Sequence, residues 1–501
     1  AKMERIARYL LSIIEKIAGI ALNRPDAIAI KGVKSTLSYK DLIALVDQYS
    51  SYIKQNKHSG YAIDLGNGPE WAVLDLALLD ANKVNIPIPN FFTDKQVQYL
   101  LTDGGVQTVF TDVPDKFNGA IDRSFNLCGR KIYQVSLKNN LVDYPINTIK
   151  VTYTSGTTGE PKGVCIDSLA ISNTVSSVAQ RSGIKHSDRH FSALPMTTLL
   201  ENIAGLYTTL TCGATAVICP QEYIGISGAT GIDPKKFIQS MDKYHPTTTI
   251  LIPQMLDAMV NIVDTNNEYL NSMKFIAVGG APISKQILIK AELIGLPVFE
   301  GYGLSEATSV VTVNGPGLNK IGTVGKPLSH IDLRIEDDGE IFVRGSVFKG
   351  YLKESSNCLD KNGYLPTGDI GFIDKDGFLT LKGRKKNIFI TSFGRNVAPE
   401  WVESELVAQA GIIQAAIFGD AKPWNVAVIL ANPNTDIDKA IQQANKSLPD
   451  YAQVSSWILA DEPFSISNNQ LTGTARLKRD TIETYYKQSI ENIYKLEKEM
   501  A

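Results

Sequence analysis

The sequence predicts an α/β chain: a large N-terminal domain of parallel βαβ sheets with a β-rich subdomain, then a small α+β C-terminal domain. Three observations carry that reading. The chain has 501 residues, more than one hydrophobic core usually serves, so two or three domains are expected. Strand-like runs alternate with helical spacing: "TTTILI" (247–252), "KFIAVGG" (274–280) and "LPVFEGYG" (296–303) are such runs. Between the last two, "APISKQILIKAELIG" takes helical spacing after Pro282, the pattern of a βαβ unit. After about residue 320 the texture changes: "IDLRIEDDGEIFVRG" and "GFIDKDGFLTLKG" are strand pairs joined by Asp-Gly turns, a strong hairpin signal.

The remaining elements follow in order. "RYLLSIIEKIAGIAL" reads as an amphipathic helix, too interrupted by charge for a signal peptide. "IKVTYT" reads as a strand feeding a loop, "KGVCI" as the strand leaving it, and "GATAVI" as a strand flanked by Cys212 and Cys219. "PEWVESELVAQ" reads as a helix, "QAAIFGD" and "NVAVILAN" as strands, and the chain ends on a charged helix. The Gly and charge run "GRKKN" (383–387) marks a domain boundary, giving units 1–383 and 384–501.

Composition narrows the function classes. Hydrophobic residues make up 44% and charged residues 20%, an ordinary globular balance. Fifty basic against 52 acidic side chains leave a net charge of −2, which argues against a nucleic-acid protein with a broad basic face. Five cysteines (128, 165, 212, 219, 358) include no CxxC pair. A disulfide framework or zinc site is not expected, and a cytoplasmic location is. No apolar run reaches membrane-spanning length, so no transmembrane segment is expected.

The loop between the two strands is chemically distinctive. In "VTYTSGTTGEPKGV" every position from Thr154 to Gly159 is Gly, Ser or Thr. Such loops offer backbone N–H groups and hydroxyls to phosphate oxygens. This is not a P-loop, whose Lys sits inside a helix after Gly. Here Pro161 precedes Lys162 and restrains Glu160 to extended backbone. The loop is therefore expected to join two strands, with Lys162 as a point charge beside it.

"YTSGTTGEPKGV" resembles the phosphate-binding signature of the adenylate-forming superfamily, which comprises acyl-CoA synthetases, peptide-synthetase adenylation domains and firefly-type luciferases. "GGAP" (279–282), "GYGLSE" (301–306), "YLPTGD" (364–369) and "GRKKNIFITSFGRNVAPEWVE" (383–403) resemble further family segments in family order. "LPMTTLLENIAG" (194–205) resembles the long-chain acyl-CoA synthetase form of the substrate-side motif. The resemblance implies a large N-terminal domain and a small mobile C-terminal one. It also implies two steps: a carboxylate attacks the α-phosphate of ATP, and a thiol then takes the acyl group and releases AMP. ATP, Mg2+ and CoA (or a phosphopantetheine thiol) are the implied cofactors and substrates, with a carboxylic acid as the small-molecule partner. An acyl carrier protein is the alternative acceptor. A third reading is a degenerate nucleotide or acyl-AMP binding protein.

The resemblance carries residue roles. Thr154, Ser155, Gly156, Thr157, Thr158 and Gly159 would contact phosphate, and Lys162 would supply charge. Glu306 and Thr157 would hold magnesium, which prefers phosphate and water with one or two protein ligands. Gly280, Ala281 and Pro282 and the run Gly301, Tyr302, Gly303 and Leu304 would frame adenine; Asp369 and Arg384 would hold ribose. Lys386 stands at the hinge, and Gly394 in the loop lining the thiol path. Two departures stand out. Thr197 and Thr198 occupy the place where long-chain members carry His, and the family's C-terminal catalytic Lys position falls on Arg476, with Lys478 two residues on.

Overall fold

The computed structural model describes residues 12–154, 161–227, 231–262, 271–354, 358–472 and 475–500. The helical expectation near the N-terminus holds from Ile13 to Asn23, opened by a capping box between Ser12 and Glu15.

Two large sheets build the N-terminal part. The first runs in spatial order Ala120–Leu127, Arg130–Ser136, Thr108–Thr111, Gly60–Asp64, Val84–Asn85, Thr148–Thr154 and Lys162–Asp167. The second carries the predicted βαβ run. Strands Val298–Tyr302, Phe275–Val278, Thr248–Leu251, Arg189–Phe191, Thr215–Val217 and Ile28–Lys31 pair in that order, all parallel. Lys285–Leu293 is the predicted crossover helix. Central strands of such a sheet are buried on both faces.

Both sheets contribute to one hydrophobic cluster, which also contains the helix Pro69–Asp80. That helix is buried from Pro69 through Leu78, as expected of a helix that is apolar nearly all round. Inside this apolar layer lies a polar knot. Lys150 Nζ donates to Asp75 Oδ1 at 2.8 Å and also to Asn202; Asp75 Oδ2 accepts from Asn202 Nδ2 at 2.8 Å and from the Tyr207 hydroxyl at 2.6 Å. The third Lys150 N–H donates to the Tyr207 hydroxyl at 3.2 Å, so each of its three donors meets an acceptor, the condition for keeping a charge pair in low dielectric.

The β-rich part is a four-stranded antiparallel sheet, Asp332–Ile335, Glu340–Arg344, Leu365–Ile373 and Leu379–Arg384. Both Asp-Gly turns fall where the sequence put them. Beyond it, Ile412–Phe418, Asn425–Ala431 and Val454–Leu459 form a three-stranded sheet. Alternate side chains pack against helices Pro399–Val407 and Ile437–Asn445 on one face and Arg479–Met500 on the other. None of the five cysteines forms a disulfide, and burial pushes the Cys165 thiol up to about 12. No helix among the described residues is long and apolar enough to cross a membrane.

Candidate active site

The glycine-rich loop closes a hairpin, as its proline predicts. Thr148–Thr154 and Lys162–Asp167 pair antiparallel with Thr154 opposite Lys162. Ser155, Gly156, Thr157, Thr158 and Gly159 lie outside the described residues. Lys162 emerges at the rim, where its Nζ lies 2.7 Å from Glu354 Oε1 and 4.8 Å from the Tyr351 ring centre. Tyr351 belongs to a segment that joins the edge of this hairpin: Cys165 N–H donates to Gly350 O and Leu352 N–H to Gly163 O. Its hydroxyl donates to Glu306 Oε1 at 2.9 Å. Burial, with Glu306 beside it, raises the Tyr351 phenol above its usual range. Lys162 and Glu306, distant in sequence, are thus brought together through one tyrosine.

Glu306 sits in a 3-10 turn, Ser305–Ala307, directly after the Val298–Tyr302 strand. The turn is tight. A Cβ on Gly303 would lie 1.6 Å from the Ser309 carbonyl oxygen, so only glycine fits. Thr308 and Ser309 then take φ of 53° and 85°, a left-handed pair rare outside glycine and often found at functional sites. The Thr308 hydroxyl anchors it on Ser346 O at 2.9 Å.

Behind the turn lies a polar chain. The Tyr302 hydroxyl donates to Asp369 Oδ2 at 2.5 Å, and Arg384 Nε lies 2.8 Å from Asp369 Oδ1. Asp369 and Arg384 face each other across adjacent strands. Burial raises the Asp369 carboxyl, and Arg384 limits the rise. Burial and Asp369 together hold the Tyr302 phenol well above its usual range.

Arg476 reaches this place from the far end of the chain. Its loop is closed by a bridge between Leu471 and Leu477, with Arg476 N–H on Thr472 Oγ1 at 3.1 Å. Its guanidinium approaches Gly280 O at 3.5 Å and feels the charges of Arg384, Asp369, Glu306 and Glu400. Lys478 Nζ donates instead to Asn469 Oδ1 at 2.5 Å. Lys386 lies near Arg384 and Asp480, and burial lowers its ammonium.

A cavity of about 230 Å³ opens beside these groups. Gly280, Gly301, Tyr302, Gly303, Leu304 and Arg476 line its mouth. Helix Ser168–Ser182 and the turn Leu200–Tyr207 line the opposite wall. That turn is a π-helix, a rare conformation frequent at functional sites. Ala281 and Pro282 are exposed and Gly394 occupies the turn of a separate hairpin between Phe389–Ile390 and Asn396–Val397; these three stand outside the cavity lining.

A family model of an AMP-binding enzyme matches residues 19–352, and a model of the AMP-binding enzyme C-terminal domain matches 386–498. The chain belongs to the AMP-binding enzyme family. It is an adenylate-forming enzyme in fold and in motif order. Long-chain-fatty-acid–CoA ligase FadD15 of Mycobacterium bovis is 26% identical, covering 85% of this chain and 86% of the relative. The 2-succinylbenzoate–CoA ligase of Bacillus pumilus is also 26% identical, over 89% and 93%. Among solved structures, the anthranilate CoA ligase AuaEII with anthranoyl-AMP matches at TM-score 0.79 and 16% identity, over 95% and 97% of the two chains. The o-succinylbenzoate CoA synthetase MenE of Bacillus subtilis with ATP and magnesium ion matches at 0.73 and 23%, over 93% and 98%. These AMP-binding enzymes share the fold.

Sequence reasoning missed Tyr351, Glu354, His190 and Glu201. Period-two alternation puts His190 on the same face of its strand as Ser192, but nothing local signals what it meets. Tyr351 follows Gly350 in "KGYLKE", a weak signal with no chemistry attached.

Proposed function

We propose that this chain activates a carboxylic acid with ATP to an acyl-adenylate and then transfers the acyl group to CoA, releasing AMP. One observation carries the reading: Tyr302 from the N-terminal part, backed by Asp369 and the boundary residue Arg384, and Arg476 from the C-terminal part come together beside one apolar cavity. That arrangement suits a ligand with an aromatic base and a vicinal diol on one side and an acyl group on the other.

The geometry supports the following roles. The Tyr302 ring lines the cavity beside Gly280 and offers a face for adenine. Each Asp369 oxygen already accepts one contact, and a carboxylate has about four acceptor sites, so both oxygens can still take ribose hydroxyls. Lys162 leaves Glu354 for phosphate, a modest exchange for an exposed pair. Thr154 stands at the base of the phosphate loop. In the first step an acid oxygen attacks the α-phosphorus and pyrophosphate leaves. Arg476, beside the mouth, meets the charge that develops there. In the second step the thiolate sulfur attacks the acyl carbonyl and AMP leaves. The unit from 384 onward, turning about Lys386, would bring Gly394 to the thiol path.

Glu306 suits magnesium. It is a carboxylate with one hydrogen bond from Tyr351 and remaining lone pairs, and this ion commonly takes one or two carboxylates together with phosphate oxygens. When bound, the ion would neutralise phosphate charge. Fatty acid metabolism is the setting that the fatty-acid ligase among the relatives suggests.

The test is a panel of carboxylates assayed for pyrophosphate release with ATP, with and without CoA. The reading expects acid-dependent release and a thioester when CoA is present. A carrier protein as acceptor would show acid-dependent release with no CoA thioester. ATP binding without release for any acid would leave only the binding-protein reading.

A further inference from the structure

The inner end of the cavity is closed by a residue that the family motifs do not mark. His190 lies on the Arg189–Phe191 strand, is 3% exposed and lines the cavity. From the Tyr302 strand, the cavity crosses Phe275–Val278 and Thr248–Leu251 before it reaches His190. Three strand spacings give a depth of about 14 Å.

This wall is fixed. His190 Nε2 lies 2.8 Å from Glu201 Oε1, and Nδ1 lies 3.0 Å from Thr248 Oγ1. Glu201 is fully buried, and its other oxygen accepts the Leu194 N–H at 3.2 Å. Swinging the imidazole aside would leave a buried carboxylate without its partner, which is costly. The turn is shaped to the pair: a Cβ on Gly205 would fall 2.3 Å from Glu201 Oε1 and 2.7 Å from His190 Nε2.

The lining is less polar than its threonines suggest. Thr249 and Thr208 give their hydroxyls to the carbonyls of Phe191 and Ile203, and Thr198 to that of Pro195. The space between Tyr302 and His190 is therefore largely apolar, with the Thr209 and Ser309 hydroxyls its unpaired polar groups. Its volume, about 230 Å³, falls below the roughly 300–1,000 Å³ of ordinary ligand pockets.

We propose that His190, pinned by Glu201 and Thr248, is the fixed inner wall of the acyl pocket and confines the substrate to carboxylic acids with a compact apolar acyl group, excluding long straight chains. The proposal rests on the ligase reading above and narrows it.

The experiment compares butanoate, hexanoate, octanoate, benzoate and hexadecanoate by kcat/KM for pyrophosphate release. Since one methylene in a closed apolar pocket is worth about 10–200-fold, hexadecanoate should fall at least about hundredfold below the best compact acid. His190→Ala should narrow that gap tenfold or more, with ATP binding unchanged. Because that variant strands Glu201, Ala204→Leu on the facing wall is the second arm. It should move the optimum to a shorter acid. A parent enzyme that takes hexadecanoate as well as any compact acid overturns the proposal. So does a folded His190→Ala whose acid ratios match the parent, or, where that variant does not fold, an Ala204→Leu whose optimum is unmoved. Absence of release with every acid overturns the ligase reading instead, and this inference with it.

Discussion

The two ends of the cavity are built on opposite principles. Around the mouth, charges stand in the open: at the hairpin rim Lys162 and Glu354 are 44% and 37% exposed at the side chain, and Arg476, which lines the cavity, is exposed too. Their ion pairs are cheap to trade for a ligand. At the inner end and behind it, polar groups are buried and saturated: His190 with Glu201 and Thr248, Lys150 with Asp75, Asn202 and Tyr207. The difference teaches where substitution should strike. Changes at the mouth should cost turnover and spare folding, whereas changes behind it should cost folding first.

The largest contrast is expected at Lys150, on the strand that feeds the glycine-rich loop. Lys150→Met leaves Asp75 buried without its cation. Breaking such a pair typically costs about 3–5 kcal/mol, measurable by urea unfolding. A loss below about 1 kcal/mol would show that the knot is not holding the sheets. Next comes Glu306→Gln, which keeps size and removes charge. Pyrophosphate release should lose about 10²-fold or more, the order seen for oriented electrostatic contacts, and its magnesium dependence should shift to higher concentration. An unchanged magnesium titration would reject the assignment.

Lys162→Ala should be gentler. Losing one charge-assisted contact to phosphate is worth about 1.5–3 kcal/mol, so activation should slow by roughly 10- to 100-fold. Stability should change by under about 1 kcal/mol, because the pair with Glu354 is exposed. A large unfolding effect would erase the distinction between the two ends.

A contrast that only pH reveals concerns Glu300, two residues before Tyr302. Burial raises its carboxyl to about 8, with Lys285 opposing. The unfolded chain releases that proton near the ordinary Glu value, about 4.3, so between there and about pH 8 the folded state binds more protons. Stability should therefore be full below about pH 4 and fall as pH rises toward 8. Glu300→Gln should flatten that part of the stability profile. A profile identical to the parent's would place the titration elsewhere.

Part of the mouth was legible because "GYGLSE" places Gly301, Tyr302, Gly303 and Leu304 in consecutive residues. The strands flanking "TSGTTGEPKG" pair as the sequence predicts, while most of that loop lies outside the described residues. The βαβ alternation and the Asp-Gly turns were legible for the same reason: they are short-range patterns. The bridge from Lys162 through Tyr351 to Glu306 was not, since its members are separated by 189 and 45 residues and only the fold unites them. The inner wall was equally hidden. His190 and Glu201 stand 11 residues apart on a strand and a π-helical turn, and no helical or strand period relates them.

The most direct test of the account is Arg476. Its segment comes from the far end of the chain, yet it faces the mouth of a cavity built by the N-terminal sheet. Arg476→Ala should be assayed in two halves: pyrophosphate release from ATP and acid, and thioester formation from preformed acyl-adenylate and CoA. The account predicts that the first falls by about 10²–10³, the worth of one oriented charge contact of roughly 3–4 kcal/mol, while the second is spared. Equal rates in parent and variant for the first half, with an active parent, would contradict it and turn attention to Lys478.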